Sequence, residues 1–216
     1  MTICIDRYGS GIVGKIAECQ TLQKGRPREF DADEALDRAL EVFWRKGYEG
    51  ASLSELTEAM GINRPSLYAA FGNKEELFRK ALDRYADGPA AYTREALNAP
   101  TARAVVEGLL RGAADALTDP SHPPGCLGVH GALSCGEAAE SIREELCGRR
   151  AAYEVSLRQR FERAKSEGDL ATNADCADLA RLVTTVAQGM AVQAAGGATR
   201  QDLRRVAEMM LRAWPA

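Results

Sequence analysis

The chain has 216 residues, of which 45% are hydrophobic and 27% charged, and its net charge is −3. That length can bury a substantial core as one large domain or two small ones, and the composition is that of a soluble globular protein. A total charge this close to zero excludes a general polycation, so any contact with nucleic acid has to come from one local basic face.

The six cysteines, Cys4, Cys19, Cys126, Cys135, Cys147 and Cys176, are scattered and lack paired C-x-x-C spacing, which argues against a disulfide framework. No secretory h-region and no apolar run of bilayer length is visible, so a cytoplasmic protein that does not enter a membrane is expected. With only 8 prolines, and with apolar residues recurring at spacings of three and four, the expected fold is all-α.

In chain order, the first segment holds GSGIVGK at Gly9 to Lys15, which fits G-x-G-x-x-G and nearly fits a phosphate-binding loop. Only Ile3 to Ile5 precede it as an apolar run, and no later β-rich segment exists to build a dinucleotide fold. Ile16 occupies the position whose hydroxyl should bind magnesium, so residues 1–24 read as a disordered or loosely docked tail. KGRPREF, Lys24 to Phe30, is either a basic arm that places Arg26 and Arg28 on DNA or a solvated linker.

A helix is predicted from Asp33 to Lys46, with Leu36, Ala39, Leu40 and Phe43 on one stripe and Gly47 ending it. Trp44 and Tyr48 should close a small core. Ser52 and Glu55 then form the S-x-x-E capping box of a second helix, whose apolar face is Leu53, Leu56, Ala59 and Met60. Gly61 follows where a left-handed residue is cheapest, Asn63 can cap a third helix, and Pro65 fits its first turn. Leu67 and Phe71 can pack back on the second helix, leaving Asn63, Arg64, Ser66 and Tyr68 on the polar face. This is the shape of a helix-turn-helix. No acidic residue occurs between Glu58 and Glu75, while Arg64 and Lys74 are present, as a helix lying against phosphates requires.

Asn73 and Glu76 cap a fourth helix with Leu77, Phe78, Ala81, Leu82 and Tyr85 at core spacing, and Gly88-Pro89 marks a domain junction. Further helices are predicted from Thr101 to Leu117, Cys126 to about Cys135, Ala138 to Lys165, Asp175 to Ala195 and Thr199 to Trp214. The Asp175–Ala195 segment is apolar nearly all round and rich in small residues, so it should be covered on every side, which suggests a subunit interface.

The run from Ala35 to Leu82, with its G-x-x-x-x-x-LY-x-x-F-x-x-KE-x-L pattern over Gly61 to Leu77, resembles the DNA-binding domain of the TetR family of one-component bacterial repressors. Asn63 and Asn73 stand where other capping residues are commoner in that family. The resemblance implies a DNA-binding domain at 25–88 and, at 89–216, a domain that encloses a small-molecule pocket and pairs its last long helices into a homodimer. It implies phosphate contacts from Ser52, Tyr68 and Lys74. Arg64 and Ser66, at the start of the reading helix, are the residues expected to meet base edges.

The pocket is expected among the helices carrying Cys126 to Cys135 and Ala138 to Lys165, lined by Cys126, His130, Ser134, Tyr153 and Phe161. An apolar or aromatic inducer with one or two hydrogen-bonding groups would suit it. Cys126 and His130 are four apart and should share a helix face, with His122 nearby. No orienting acid or oxyanion hole accompanies them, and zinc sites usually need three or four protein ligands while Cys135 projects from the opposite side of an ideal helix, so neither catalysis, a metal nor a cofactor is expected. The reading is a ligand-responsive repressor of a palindromic operator. A repressor sensing electrophiles through Cys126, an enzyme on the C-terminal helices, and a relative acting by protein contact alone are the alternatives.

Overall fold

Asp31 accepts hydrogen bonds from the Asp33 and Glu34 amides at 2.9 and 3.3 Å, and this cap opens α1 (Ala32–Gly50). In the computed structural model, which describes residues 30–131 and 139–215, ten helices and no strand form among the described residues. The Gly9–Lys15 motif, Arg26, Arg28, Ser134 and Cys135 lie outside them. Gly47 interrupts α1 with φ 69° and ψ 179°, but the chain re-enters a helical turn as far as Gly50. The helix is therefore kinked where the sequence pattern has it stop.

The next three helices carry the caps expected of them. α2 (Leu53–Met60) begins with a complete Ser52–Glu55 capping box and ends on Gly61 at φ 67°, ψ 29°. α3 (Arg64–Phe71) is capped by Asn63, whose Oδ1 accepts from the Ser66 amide at 2.8 Å. α4 (Lys74–Asp87) opens with an Asn73–Glu76 box. Gly72 between α3 and α4 is required, because at φ 80° a side chain is strained and a Cβ would run into the Glu76 carboxylate. These helices close on Phe43 and Phe78, packed edge to face at 4.9 Å, with Leu56 and Leu67 fully buried beside them.

The rest of the described chain is α5 (Ala91–Ala96), α6 (Ala102–Ala116), α7 (Leu127–His130), α8 (Glu140–Ser166), α9 (Cys176–Ala195) and α10 (Arg200–Ala213). α5 is too short to show a periodic stripe and has no capping side chain, so no sequence signal announces it. Cys126 is not in a helix but is the extended residue before α7, whose described length is one turn. α5 and α10 flank α6, and α8 packs along α9. Their core runs through Leu109, Leu110, Leu157 and Phe161, with the Phe161 ring 5.4 Å from Trp214. Leu127, Ile142 and Leu146 instead join the core of α1–α4, so the two halves share packed surface.

α9 is not covered on every side within one chain. Leu182 and Val192 are 48% and 47% exposed, and Val155, Val206 and Met209 lie open on α8 and α10. Among the described residues no helix is long and apolar enough to cross a membrane.

Candidate nucleic-acid interface and an internal cavity

The turn at Gly61 and the Asn63 cap present the N-terminus of α3 to solvent. Asn63, Arg64 and Tyr68 are exposed and Ser66 is half-buried, while Leu67 and Phe71 face inward. No acidic residue occupies the first turn of α3, so its positive dipole end stands unopposed there. Arg64 reaches back to donate from Nη2 to Ser54 Oγ at 2.8 Å, which holds the guanidinium along α2.

The flanking helix starts are built alike. Ser52 Oγ accepts from the Glu55 amide at 3.2 Å and donates to Glu55 Oε2 at 2.9 Å. The Lys46 ammonium and the Ser52 amide and hydroxyl hold the Glu55 carboxyl at about 2, so it stays charged and its charge is balanced by Lys46. Lys74, half-buried at the start of α4, sits with Nζ 4.5 Å from the centre of the Tyr48 ring. Partial burial draws its pKa down, and Glu49 opposes that shift.

A second concavity, about 380 Å³, opens among α4 to α9. Its polar groups include the phenols of Tyr85, Tyr92 and Tyr153, the Cys126 thiol and the Arg150 guanidinium. Burial drives all three phenols well above their usual range, with Cys126 a further cause for Tyr85 and Tyr92, so they remain neutral donors. The Tyr153 hydroxyl donates to the Thr93 carbonyl at 3.0 Å.

Of the residues expected to line a pocket, this cavity holds Cys126 and Tyr153. His130 lines a different hollow, with Trp44, Gly47 and Pro123, and burial lowers its pKa. Cys126 and His130 therefore share neither a helix face nor a cavity, because Cys126 precedes α7 instead of lying in it. Phe161 is fully buried against Trp214 and does not reach the cavity. Sequence reasoning had Tyr85 as core and passed over Tyr92 and Arg150, since no local pattern distinguishes a residue facing a void from one facing a neighbour. Among the described residues no three His, Cys, Asp or Glu side chains gather as a metal site.

One helix joins the two sites. Trp44 of α1 donates from its indole Nε1 to the Gly125 carbonyl at 3.1 Å, one residue before Cys126. The same ring meets Tyr85 edge-on at 4.7 Å and stacks on His122 at 4.5 Å. Gly125 has φ +88°, and a Cβ there would collide with the His130 ring, so the carbonyl is aimed at Trp44 by a conformation suited to glycine.

Comparison with known proteins agrees with this architecture. The family described as bacterial regulatory proteins, tetR family, matches residues 35–81, and the tetracyclin repressor-like C-terminal domain matches residues 100–210. The HTH-type transcriptional repressor ComR of Escherichia coli (strain K12) is 34% identical over 200 residues, 92% of this chain and 95% of the relative. The repressor BdcR of the same organism is 29% identical over 90% of this chain and 94% of its own length. Among solved structures, a cysteine mutant of the TetR family regulator CifR, complexed with 26 bp double-strand operator DNA, is 47% identical with a TM-score of 0.84. That match covers 88% of this chain and 100% of the other. A TetR regulator from Rhodococcus sp. RHA1 is 41% identical, with a TM-score of 0.59, over 86% and 100% of the two chains.

Proposed function

The chain belongs to the TetR family of bacterial regulatory proteins, and we propose that it is a cytoplasmic repressor that binds a palindromic operator as a homodimer. In this reading a small molecule entering the cavity releases the DNA. Residues 25–88 form the DNA-binding part and residues 89–216 the effector and dimer part. The relatives named ComR and BdcR are repressors, and CifR is complexed with operator DNA, which supports the assignment.

The observation that carries it is the Trp44–Gly125 hydrogen bond. α1 packs on α2 and α4, and through Trp44 it is tied to the segment that ends in Cys126 at the cavity. A ligand that shifts this segment shifts α1, and with it the helix-turn-helix. An effector preferring the released state by a factor of about a hundred supplies about 2.7 kcal/mol of coupling. In the bound state Arg64 and Ser66 meet base edges, Ser52, Tyr68 and Lys74 hold phosphates, and Asn63 sets the start of the reading helix. The open apolar side chains Leu182, Val192 and Met209 supply the dimer interface.

The test is Trp44→Phe, which keeps an aromatic ring and deletes the indole N–H. Operator binding by the unliganded protein is expected to persist while the response to effector falls at least several-fold. An unaltered response refutes the coupling route, and no shift of the gene's own upstream DNA by the wild type refutes the repressor. A second reading is favoured by the place of Cys126 on the cavity wall beside Tyr85: the thiol captures an electrophile, and that covalent change releases DNA. Cys126→Ser separates the two, since release by every effector survives it only if the thiol is not the sensor.

A further inference from the structure

The charges around the cavity narrow what it can hold. Two consecutive arginines of α8 lie on its wall. Arg149 is already neutralised, with Nη1 2.8 Å from Asp83 Oδ1 and Nη2 2.8 Å from Glu145 Oε1. Arg150 is not. Its Nη1 donates to the Gly128 carbonyl at 2.7 Å and its Nη2 to the Cys147 sulfur at 3.1 Å, and among the described residues no carboxylate pairs with it. No aspartate or glutamate of the described residues lines the cavity either.

The groups that share the cavity with this guanidinium suit an anion. Tyr85, Tyr92 and Tyr153 are kept protonated by burial and so do not repel an anion. The Tyr153 proton is already given to the Thr93 carbonyl and Tyr85 is hydrogen-bonded to Cys126, which leaves Tyr92 as the phenol with a proton to donate. Tyr153 lies three residues beyond Arg150, which places both on one side of α8. Much of the remaining wall is hydrocarbon, from residues such as Leu109, Val129 and Ala191, with Thr184 and Gln188 as uncharged polar groups.

We propose that the cavity takes a small amphipathic monocarboxylate, its head group on Arg150 and a neighbouring phenol and its hydrocarbon body against the apolar wall. A half-buried guanidinium facing no counter-ion is relieved by charge-assisted hydrogen bonds that a neutral ligand of the same shape cannot make. A volume of about 380 Å³ stands at the small end for ligand cavities, which fits a short acyl chain or a single ring with a side arm. This assignment rests on the reading of the cavity as the effector site, and it specifies the chemistry of the effector.

The test is calorimetric titration of the whole protein with octanoate and with hydrocinnamate, each against its own methyl ester. At least one acid is expected to bind about tenfold or more tightly than its ester, the worth of a charge-assisted pair over a neutral one. Arg150→Gln should abolish that margin and Arg150→Lys should reduce it. Should Arg150→Gln fail to fold, Arg150→Lys decides alone: a reduced margin supports the pairing and an unchanged one overturns it. Esters that bind as well as the acids, or the absence of binding by both acids, overturn the carboxylate assignment. A gel shift with upstream DNA keeps the two readings apart. An acid that binds in preference to its ester yet leaves the DNA occupied supports the carboxylate and refutes effector release. An ester that binds as tightly as its acid and frees the DNA refutes the carboxylate and leaves effector release standing.

Discussion

The helices of the DNA-facing half and those around the cavity solve different problems, and the contrast lies in how far apart along the chain their candidate site residues are. Ser52, Asn63, Arg64, Ser66, Tyr68 and Lys74 fall within one short stretch and are placed by caps and turns that act over three or four residues. Tyr85, Tyr92, Cys126, Arg150 and Tyr153 come from three helices and a loop, and meet only because α4 to α8 pack as they do. A local site survives modest repacking. A site assembled from distant segments does not, and that sensitivity suits the effector role proposed for it.

The contrast is broken most severely through the core that the halves share. Phe78→Ala removes a fully buried ring from the α1–α4 cluster and should cost about 3–5 kcal/mol in chemical denaturation. Because Leu127, Ile142 and Leu146 belong to that same cluster, the loss should appear in one cooperative transition. Two resolved transitions, only one of them moved, would mean that the halves are energetically separate.

Next in size is Leu182→Glu on the open face of α9. A carboxylate placed in the proposed interface should weaken the dimer by about 2 kcal/mol or more, read by sedimentation equilibrium, and operator affinity should fall with it. Monomer stability should hardly change, since Leu182 is about half exposed in the single chain. Equal loss in the monomer would place Leu182 in the core instead.

A smaller effect separates reading from holding within the local site. Arg64→Ala should cost about 1–3 kcal/mol on the operator and relax sequence preference, whereas Lys74→Ala should weaken all sequences alike and lower the salt slope. Equal losses on operator and random DNA for Arg64→Ala would remove it from the base edges.

The smallest expected effect is electrostatic. The Glu55 carboxyl is held at about 2 rather than its ordinary 4.5, so its folded pKa is depressed. The sign follows: its contribution to the start of α2 is complete above 4.5 and is lost as pH falls toward 2. A carboxyl-carbon NMR titration should find Glu55 still ionised at pH 3.5. A midpoint near 4.5 would show that the Lys46 and Ser52 contacts do not form in solution.

Much was determined by the sequence alone. The all-α fold, the caps at Ser52, Asn63 and Asn73, the left-handed turn at Gly61 and the exposed start of α3 rest on interactions between residues a few positions apart. Such interactions are written in the order of the residues. Gly47 was legible as a break but not as a kink, because whether the chain resumes helix afterwards depends on what packs beyond it. What only the tertiary structure decided is which side of a buried segment meets a void. Cys126 and His130 sit four apart yet open on different hollows, and Phe161 has the spacing of a pocket residue but lies against Trp214. Hydrophobic periodicity says that a side chain faces inward, but not whether another side chain or an empty volume waits there, and that depends on helices far away in sequence.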